Sequence, residues 1–159
     1  MKVNEKSAAY IFSLIFVAAL TFLYLFIKIV LTPYWQELSG TELQIWWAGP
    51  FVRFSYVMWP VHLLSALTII TAYVLHFKEK KIIKIWWLLA LIALFICQAF
   101  NFGVLGFVYN PSLQPGTLDA EVALKMFDNW DFYHTLRTIF ICLSLFSLSV
   151  IGIIPKGKS

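Results

Sequence analysis

Hydrophobic residues in this chain stand in long, nearly unbroken stretches rather than in the periodic stripes of amphipathic elements. Four such stretches are predicted to be helices, at about 8–31, 51–77, 85–108 and 132–154. A run of about 18 or more apolar residues is long enough to cross the roughly 30 Å of hydrocarbon in a bilayer. The pattern therefore predicts an all-α, integral membrane four-helix bundle that forms a single domain over residues 1–159.

Composition agrees with this prediction. Hydrophobic residues make up 61% of the chain and charged residues only 13%, whereas a soluble domain carries about 25% charged residues. The polar material is too scarce to cover a surface that faces water, which argues against a soluble enzyme. The net charge of +4 comes from short lysine clusters beside the apolar stretches. This placement is typical of membrane topology, so the predicted partner is a lipid bilayer and not a nucleic acid.

The distribution of charge predicts an orientation. Lysines cluster near both ends and between the second and third helices, at Lys2, Lys6, Lys78, Lys80, Lys81, Lys84, Lys156 and Lys158. Most acidic residues lie in the other two connections, at Glu37, Glu42, Asp119, Glu121, Asp128 and Asp131. The positive-inside rule then places both termini in the cytoplasm and two longer loops outside. Compact loops favour a multi-pass protein of a bacterial plasma (inner) membrane.

The two outer loops are expected to contain short interfacial helices. The first, "PYWQELSGTELQIWWAGP", follows a stop at Thr32-Pro33 and is rich in tryptophan, which suits the lipid–water boundary. The tryptophan pairs at 46–47 and 86–87 are likewise assigned to the interfaces. The second loop opens with turns at Asn110-Pro111 and Pro115-Gly116 and continues into a short helix at about 118–129.

Polar residues at the start of the fourth helix form a one-sided pattern. Trp130, His134 and Arg137 are spaced i, i+4, i+7, which places them on one helix face. Asp131 is expected to orient the imidazole of His134 or to neutralise Arg137. The structural alternative is that Arg137 snorkels to the outer interface and pairs there with Asp131 or Asp128.

Two other helices carry polar residues at an overlapping depth. His62 shares a face of the second helix with Trp59, and Gln98 and Asn101 lie one turn apart in the third helix, with Asn110 near its end. Ionisable groups within membrane helices are candidates for function because they are costly to bury. The alternatives are a core histidine bonded to a backbone carbonyl, and amides that merely join helices.

The motifs "NPSL" at 110–113 and "NWDFYHTLR" at 129–137 resemble a known pattern. A four-helix membrane family that includes fungal anthrone oxygenases and many uncharacterised bacterial members shows an Asn-Pro turn after its third helix. A short amphipathic helix follows, and then a Trp-x-x-x-His-x-x-Arg signature opens the fourth helix. The stretch "WAGPFVRFSYVMWP" before His62 is similar to the family's second helix, more loosely.

The resemblance implies a reaction in which a hydrophobic polycyclic phenol is oxidised with oxygen. It implies that His134 is a general base or ligand and that Arg137 stabilises the resulting anion. Trp130 would form a wall of the pocket, and Asn101 or Asn110 would bond the substrate oxygen. Together with the residues found by depth alone, the candidate catalytic residues are His134, Arg137 and His62, and the candidate substrate-binding residues are Trp130, Asn101, Asn110, Gln98 and Trp59.

Three functions are the main alternatives at this point; a fourth, transport, has little support because the four helices show no repeat and no pair of broken helices. The first is an oxygenase-like membrane oxidoreductase that acts on a lipophilic small molecule. If this is the function, the candidate residues should converge on one cavity. The second is a non-enzymatic accessory or assembly subunit of a larger membrane complex, or a homo-oligomer. The third is a protein that binds haem or a quinone through His62 and His134. An expected difference of about 10 Å between the depths of these two histidines argues against a single haem between them. No cofactor is specified, and the histidines make a poor metal ligand set.

Overall fold

The structure, a computed structural model, describes residues 4–154 and contains four long helices. The helices are α1 (Glu5–Gln36), α2 (Gly40–Leu75), α3 (Lys81–Leu113) and α4 (Ala120–Ile153). Within residues 4–154 no strand occurs. The predicted all-α fold with four helices of membrane-spanning length is therefore confirmed. Lys2, Lys156 and Lys158, which entered the sequence-based expectations, lie outside the described residues.

The outside of the bundle is apolar, as a lipid-facing surface must be. Only 28% to 39% of the most apolar stretch of each helix is buried inside the bundle. Large side chains such as Phe22, Ile29 and Phe107 point outward and are 68% to 79% exposed. Soluble monomers rarely expose contiguous apolar patches of this extent. The chain is a multi-pass helical membrane protein.

The helices are longer than the sequence predicted, since proline does not end them where it was expected to. The 32 residues of α1 span about 48 Å and continue past Thr32-Pro33. A π-helical segment at Ile27–Leu31 precedes this proline, which therefore occupies the first turn of a new α-helical segment, Thr32–Gln36. The wider i→i+5 bonding, which extends to the Thr32 N–H and the Ile27 carbonyl, accompanies the passage of the helix through a residue that has no N–H to donate.

The first connection is not the interfacial loop that the sequence suggested. Only residues 37–39 separate α1 from α2. Ser39 and Glu42 form a capping box in which each side chain bonds the other residue's backbone N–H, so α2 begins before the tryptophan-rich stretch. That stretch becomes the first turns of a packed helix, and both Trp35 and Trp47 are fully buried.

The second connection is also shorter than expected. The residues around Asn110-Pro111 form the last turn of α3, whereas the turn at Pro115-Gly116 is confirmed by a positive φ of 67° at Gly116. Asp119 caps α4 by accepting a hydrogen bond from the Glu121 backbone. The helix expected at about 118–129 is the start of α4 and joins the membrane-spanning part without a break.

An aromatic cluster closes the end of the bundle where these two connections lie. Its members come from α1, α2 and α4 and have ring centroids 4.6 to 6.3 Å from their neighbours: Trp35, Trp46, Trp47, Phe51, Phe127 and Trp130. Gln44 joins the two connections through hydrogen bonds with the backbone of Leu118. Trp46 and Trp47, which the sequence assigned to a lipid interface, thus help to close one end of the bundle interior. Trp87 is also fully buried.

We expect Gly40→Ala to destabilise the bundle by about 1–3 kcal/mol, because a Cβ at this position would overlap the backbone carbonyl of Ala120. Gly49→Ala is the matched control in the same helix, since a Cβ there has no atom within 4 Å. Both changes replace a helical glycine with alanine. Thermal unfolding of the two variants in one detergent measures the difference, and equal unfolding midpoints would contradict the close approach of α2 and α4.

Candidate functional site

Arg137 is the centre of the candidate site. It lies on α4, is only 3% exposed and donates from Nε to Nδ1 of His134 at 2.8 Å. Its Nη1 donates to Oδ1 of Asn101 on α3. The guanidinium carbon lies over the ring of Tyr24 on α1, 4.4 Å from the centroid, and over the ring of Trp130 at 5.5 Å. Every one of these partners is electrically neutral.

Among residues 4–154 no carboxylate pairs with this charge. Asp131, expected near Arg137, instead accepts two hydrogen bonds from Nζ of Lys28 on α1, at 2.6 and 2.8 Å. The ion pairs found in residues 4–154 are Lys28–Asp131 and Lys6–Glu79, and neither includes Arg137. The expectation that Asp131 serves His134 or Arg137 is wrong, because Lys28 from the adjoining helix holds this carboxylate. The alternative that Arg137 snorkels to an interface is equally excluded by its burial.

His134 lies behind Arg137. It is fully buried, and its ring stacks on Trp130 with centroids 4.9 Å apart. Residues three apart on a helix are neighbours, so the bond between His134 and Arg137 is local to α4. Since Nδ1 accepts a hydrogen bond from the guanidinium, this imidazole fixes the direction of the arginine side chain.

His62 is held by two side chains from other helices. Nδ1 lies 2.7 Å from Oε1 of Gln98 on α3, and Nε2 lies 3.0 Å from the hydroxyl of Tyr24. An amide oxygen only accepts, so Nδ1 donates to Gln98 and Nε2 accepts from Tyr24. The expectation of a backbone carbonyl as partner of His62 is wrong. Tyr24 thereby contacts both His62 and the arginine and joins the polar groups of α2 to those of α4.

A polar cavity of about 70 Å³ opens beside Arg137. It lies between α2, α3 and α4 and is lined by Phe51, Ser55, Met58, Trp59, His62, Asn101, Phe102, Gly106, Asn110 and Arg137. Asn110 Oδ1 also accepts a hydrogen bond from Nε1 of Trp130 at 3.0 Å, which links the cavity to the aromatic cluster.

A long π-helical segment, Ala99–Tyr109, brings Asn101 and Asn110 to the same cavity. In an α-helix nine residues make 2.5 turns at 3.6 residues per turn, which would place the two asparagines on opposite faces. The i→i+5 bonding of a π-helix takes more than four residues per turn, so the same nine residues make about two turns. The change of helix type is therefore what allows both amides to face the cavity.

The structure brings all the predicted site residues into one contiguous cluster. His62, Arg137, Asn101, Asn110 and Trp59 line the polar cavity. The other three stand just behind these residues: Gln98 bonds His62, and His134 and Trp130 contact Arg137.

Sequence reasoning missed two residues of α1 that complete the cluster. Tyr24 is fully buried between His62 and Arg137. Lys28, one turn later in α1, forms the ion pair with Asp131. A lysine inside an apolar stretch is a candidate by the same rule that selected His62, and it lies one turn from Tyr24 on the same face. That spacing was the available signal.

A haem between His62 and His134 does not fit this arrangement. Both ring nitrogens of His62 are engaged, and the Tyr24 ring stands between the two imidazoles, with centroids 5.6 and 5.7 Å away. A bis-histidine haem needs a free nitrogen from each imidazole on opposite sides of an open slot. In the described part of the chain, no group of three or more His, Cys, Asp or Glu side chains is arranged to hold a metal ion.

Fold and site together define a multi-pass helical membrane protein with a buried, uncompensated arginine beside a polar cavity. Comparison of the chain with protein-family models, with curated proteins and with solved structures finds no match. The chemistry of the site must therefore be argued from its own residues.

We expect Lys28→Gln to lower the free energy of unfolding by about 1–3 kcal/mol, since it leaves the largely buried carboxylate of Asp131 unpaired. Lys6→Gln is the matched control, because the Lys6–Glu79 pair is more exposed and such pairs contribute about 0–1 kcal/mol. Chemical unfolding in detergent measures both variants. An equal effect of the two substitutions would show that Asp131 does not depend on Lys28.

Proposed function

We propose that this protein binds a lipophilic small molecule with an acidic oxygen and holds it as an anion against Arg137, as a membrane oxidoreductase of the oxygenase type. The observation that carries the proposal is that Arg137 is buried, lines a cavity and has no carboxylate partner in the described part of the chain. A phenol, an enol or a carboxylic acid has the required oxygen.

The energetics of a buried charge support an anionic ligand. An unpaired charge in a protein interior costs several kcal/mol even after relaxation. Here the aromatic faces of Tyr24 and Trp130 and the acceptors on Asn101 and His134 reduce that cost without neutralising the charge. A ligand oxyanion in the cavity would supply the missing negative charge. The guanidinium has five donors in a planar fork, and His134 and Asn101 together occupy two of them.

The remaining cavity residues have complementary roles in this proposal. His62 is the imidazole that lines the cavity, and it would take the ligand's proton at Nε2 once the hydroxyl of Tyr24 turns away from that nitrogen. His134, which does not line the cavity, is a positioning residue for Arg137. The resemblance to anthrone oxygenases extends the proposal to oxidation of the bound anion by dioxygen.

An accessory or assembly subunit is the second candidate. The mutual hydrogen bonds among Tyr24, His62 and Gln98 are what a bundle with only internally satisfied polar groups would contain. The uncompensated charge of Arg137 is what such a bundle would not need.

The test uses 4-nitrophenol, whose phenolate absorbs in the visible range while the phenol does not. Added to the purified protein at a pH where the free compound is largely protonated, it should show an increased phenolate band, because Arg137 favours the anion. We expect Arg137→Gln to abolish this increase. Arg53→Gln, the same charge change at an exposed residue of α2, should retain it. Absorbance titration provides the measurement.

Two outcomes would reject the proposal. One is the absence of any phenolate increase with the unmodified protein, and the other is an equal increase in the Arg137→Gln variant. The oxidative part is tested separately by oxygen uptake with a polycyclic phenol. Binding without oxygen uptake would retain the anion site and reject the oxygenase.

A further inference from the structure

A second, larger cavity adjoins the polar one on the outer surface of the bundle. This lateral groove lies between α2 and α3 and has a volume of about 820 Å³. Its walls include Leu63 and Ala66 from α2 and Phe95 from α3. Leu63 is 59% exposed and Phe95 is 51% exposed, so the groove is open on the side that faces lipid.

The lateral groove and the polar cavity share three wall residues. Trp59, His62 and Phe102 line both of them. The rings of Trp59 and Phe102 lie 4.8 Å apart across the boundary between α2 and α3. The wall of the groove and the wall of the polar cavity therefore meet at the same histidine.

The two volumes differ in what they can hold. The polar cavity, at about 70 Å³, accommodates only a small oxygen-bearing group, whereas the groove falls within the roughly 300–1,000 Å³ typical of small-molecule pockets. The groove wall also has an unused donor, since Nε2 of Gln98 is buried and has no hydrogen-bond partner among the described residues.

We infer that the lateral groove is the route by which the ligand enters from the bilayer and the place where its apolar body stays. The ligand is then a lipid-dissolved amphiphile with a large apolar body and one small acidic oxygen group. This inference rests on the proposed function, because the anion site at Arg137 is what distinguishes such a ligand from an ordinary lipid chain. A lipid chain or a partner helix would cover the groove without using the charge.

The test compares two leucines of α2 that are similarly exposed. Leu63 (59% exposed) lines the lateral groove, whereas Leu67 (52% exposed), one turn further along α2, lines a separate surface pocket together with Ala9 and Phe12 of α1. The probes are 4-ethylphenol and 4-nonylphenol, each displacing 4-nitrophenolate from the protein in the same detergent. We expect Leu63→Trp to weaken the binding of 4-nonylphenol by about tenfold or more, because the indole takes space that the alkyl chain needs. The affinity for 4-ethylphenol should stay nearly unchanged in this variant, and Leu67→Trp should leave the affinity for both phenols unchanged.

A second measurement locates the chain directly. A phenol with a photoreactive diazirine in its alkyl tail should label α2 and α3 peptides that contain Leu63 and Phe95 in the unmodified protein. Arg137→Gln should remove this labelling.

The outcomes separate the inference from the proposed function. If 4-nitrophenol shows no phenolate band that depends on Arg137, the proposed function fails. If it shows that band but neither alkylphenol displaces it, the anion site stands and the inference about its ligand fails. If both displace it and Leu63→Trp affects them equally or not at all, the anion site stands and the lateral groove is rejected as the ligand's position. Labelling that persists in Arg137→Gln would identify the groove as a general lipid-binding surface and also overturn the inference.

Discussion

The positive charge of Arg137, held inside the span of the bundle without a carboxylate, is the constraint on which the site depends. Three helices contribute to it: α1 gives the ring of Tyr24, α3 gives Asn101 and α4 gives His134. Each group lowers the cost of burial, but none removes the charge. Because the nearest acid on α4, Asp131, is held by Lys28, the charge remains available to a ligand.

Departures from the regular α-helix position the cavity walls around this charge. Two π-helical segments, Trp47–Phe51 and Ala99–Tyr109, contribute residues to the polar cavity. The longer one turns Asn101 and Asn110 to the same side, which a regular helix would not do. Wider turns of this kind leave weaker packing inside the helix and occur often at functional sites. In this protein the longer segment departs from regular helix geometry and thereby places two amides at one cavity.

Much of the fold could be predicted from the sequence, and so could the members of the site, but not its connections. Long apolar stretches indicate helices whatever their neighbours, and the spacing of Trp130, His134 and Arg137 is a property of one helix. The partners of Asp131 and His62 depend on which helices lie side by side, and no pattern within one helix contains that information. The predicted helix ends were wrong for a related reason. The capping box at Ser39 starts α2 earlier than the apolar stretch indicates, and the π-helical segment before Pro33 lets α1 continue past a proline.

The ring of Tyr24 joins the two histidines, with centroids 5.6 Å from His62 and 5.7 Å from His134. The position of His62 matters for the proposed chemistry. A neutral acid dissolves in lipid far better than its anion, so a ligand that arrives through the lateral groove must lose its proton inside the protein. His62 is the imidazole shared by the groove and the polar cavity. It stands where a neutral ligand would meet the charge of Arg137, and proton loss there would be coupled directly to the gain of an ion pair.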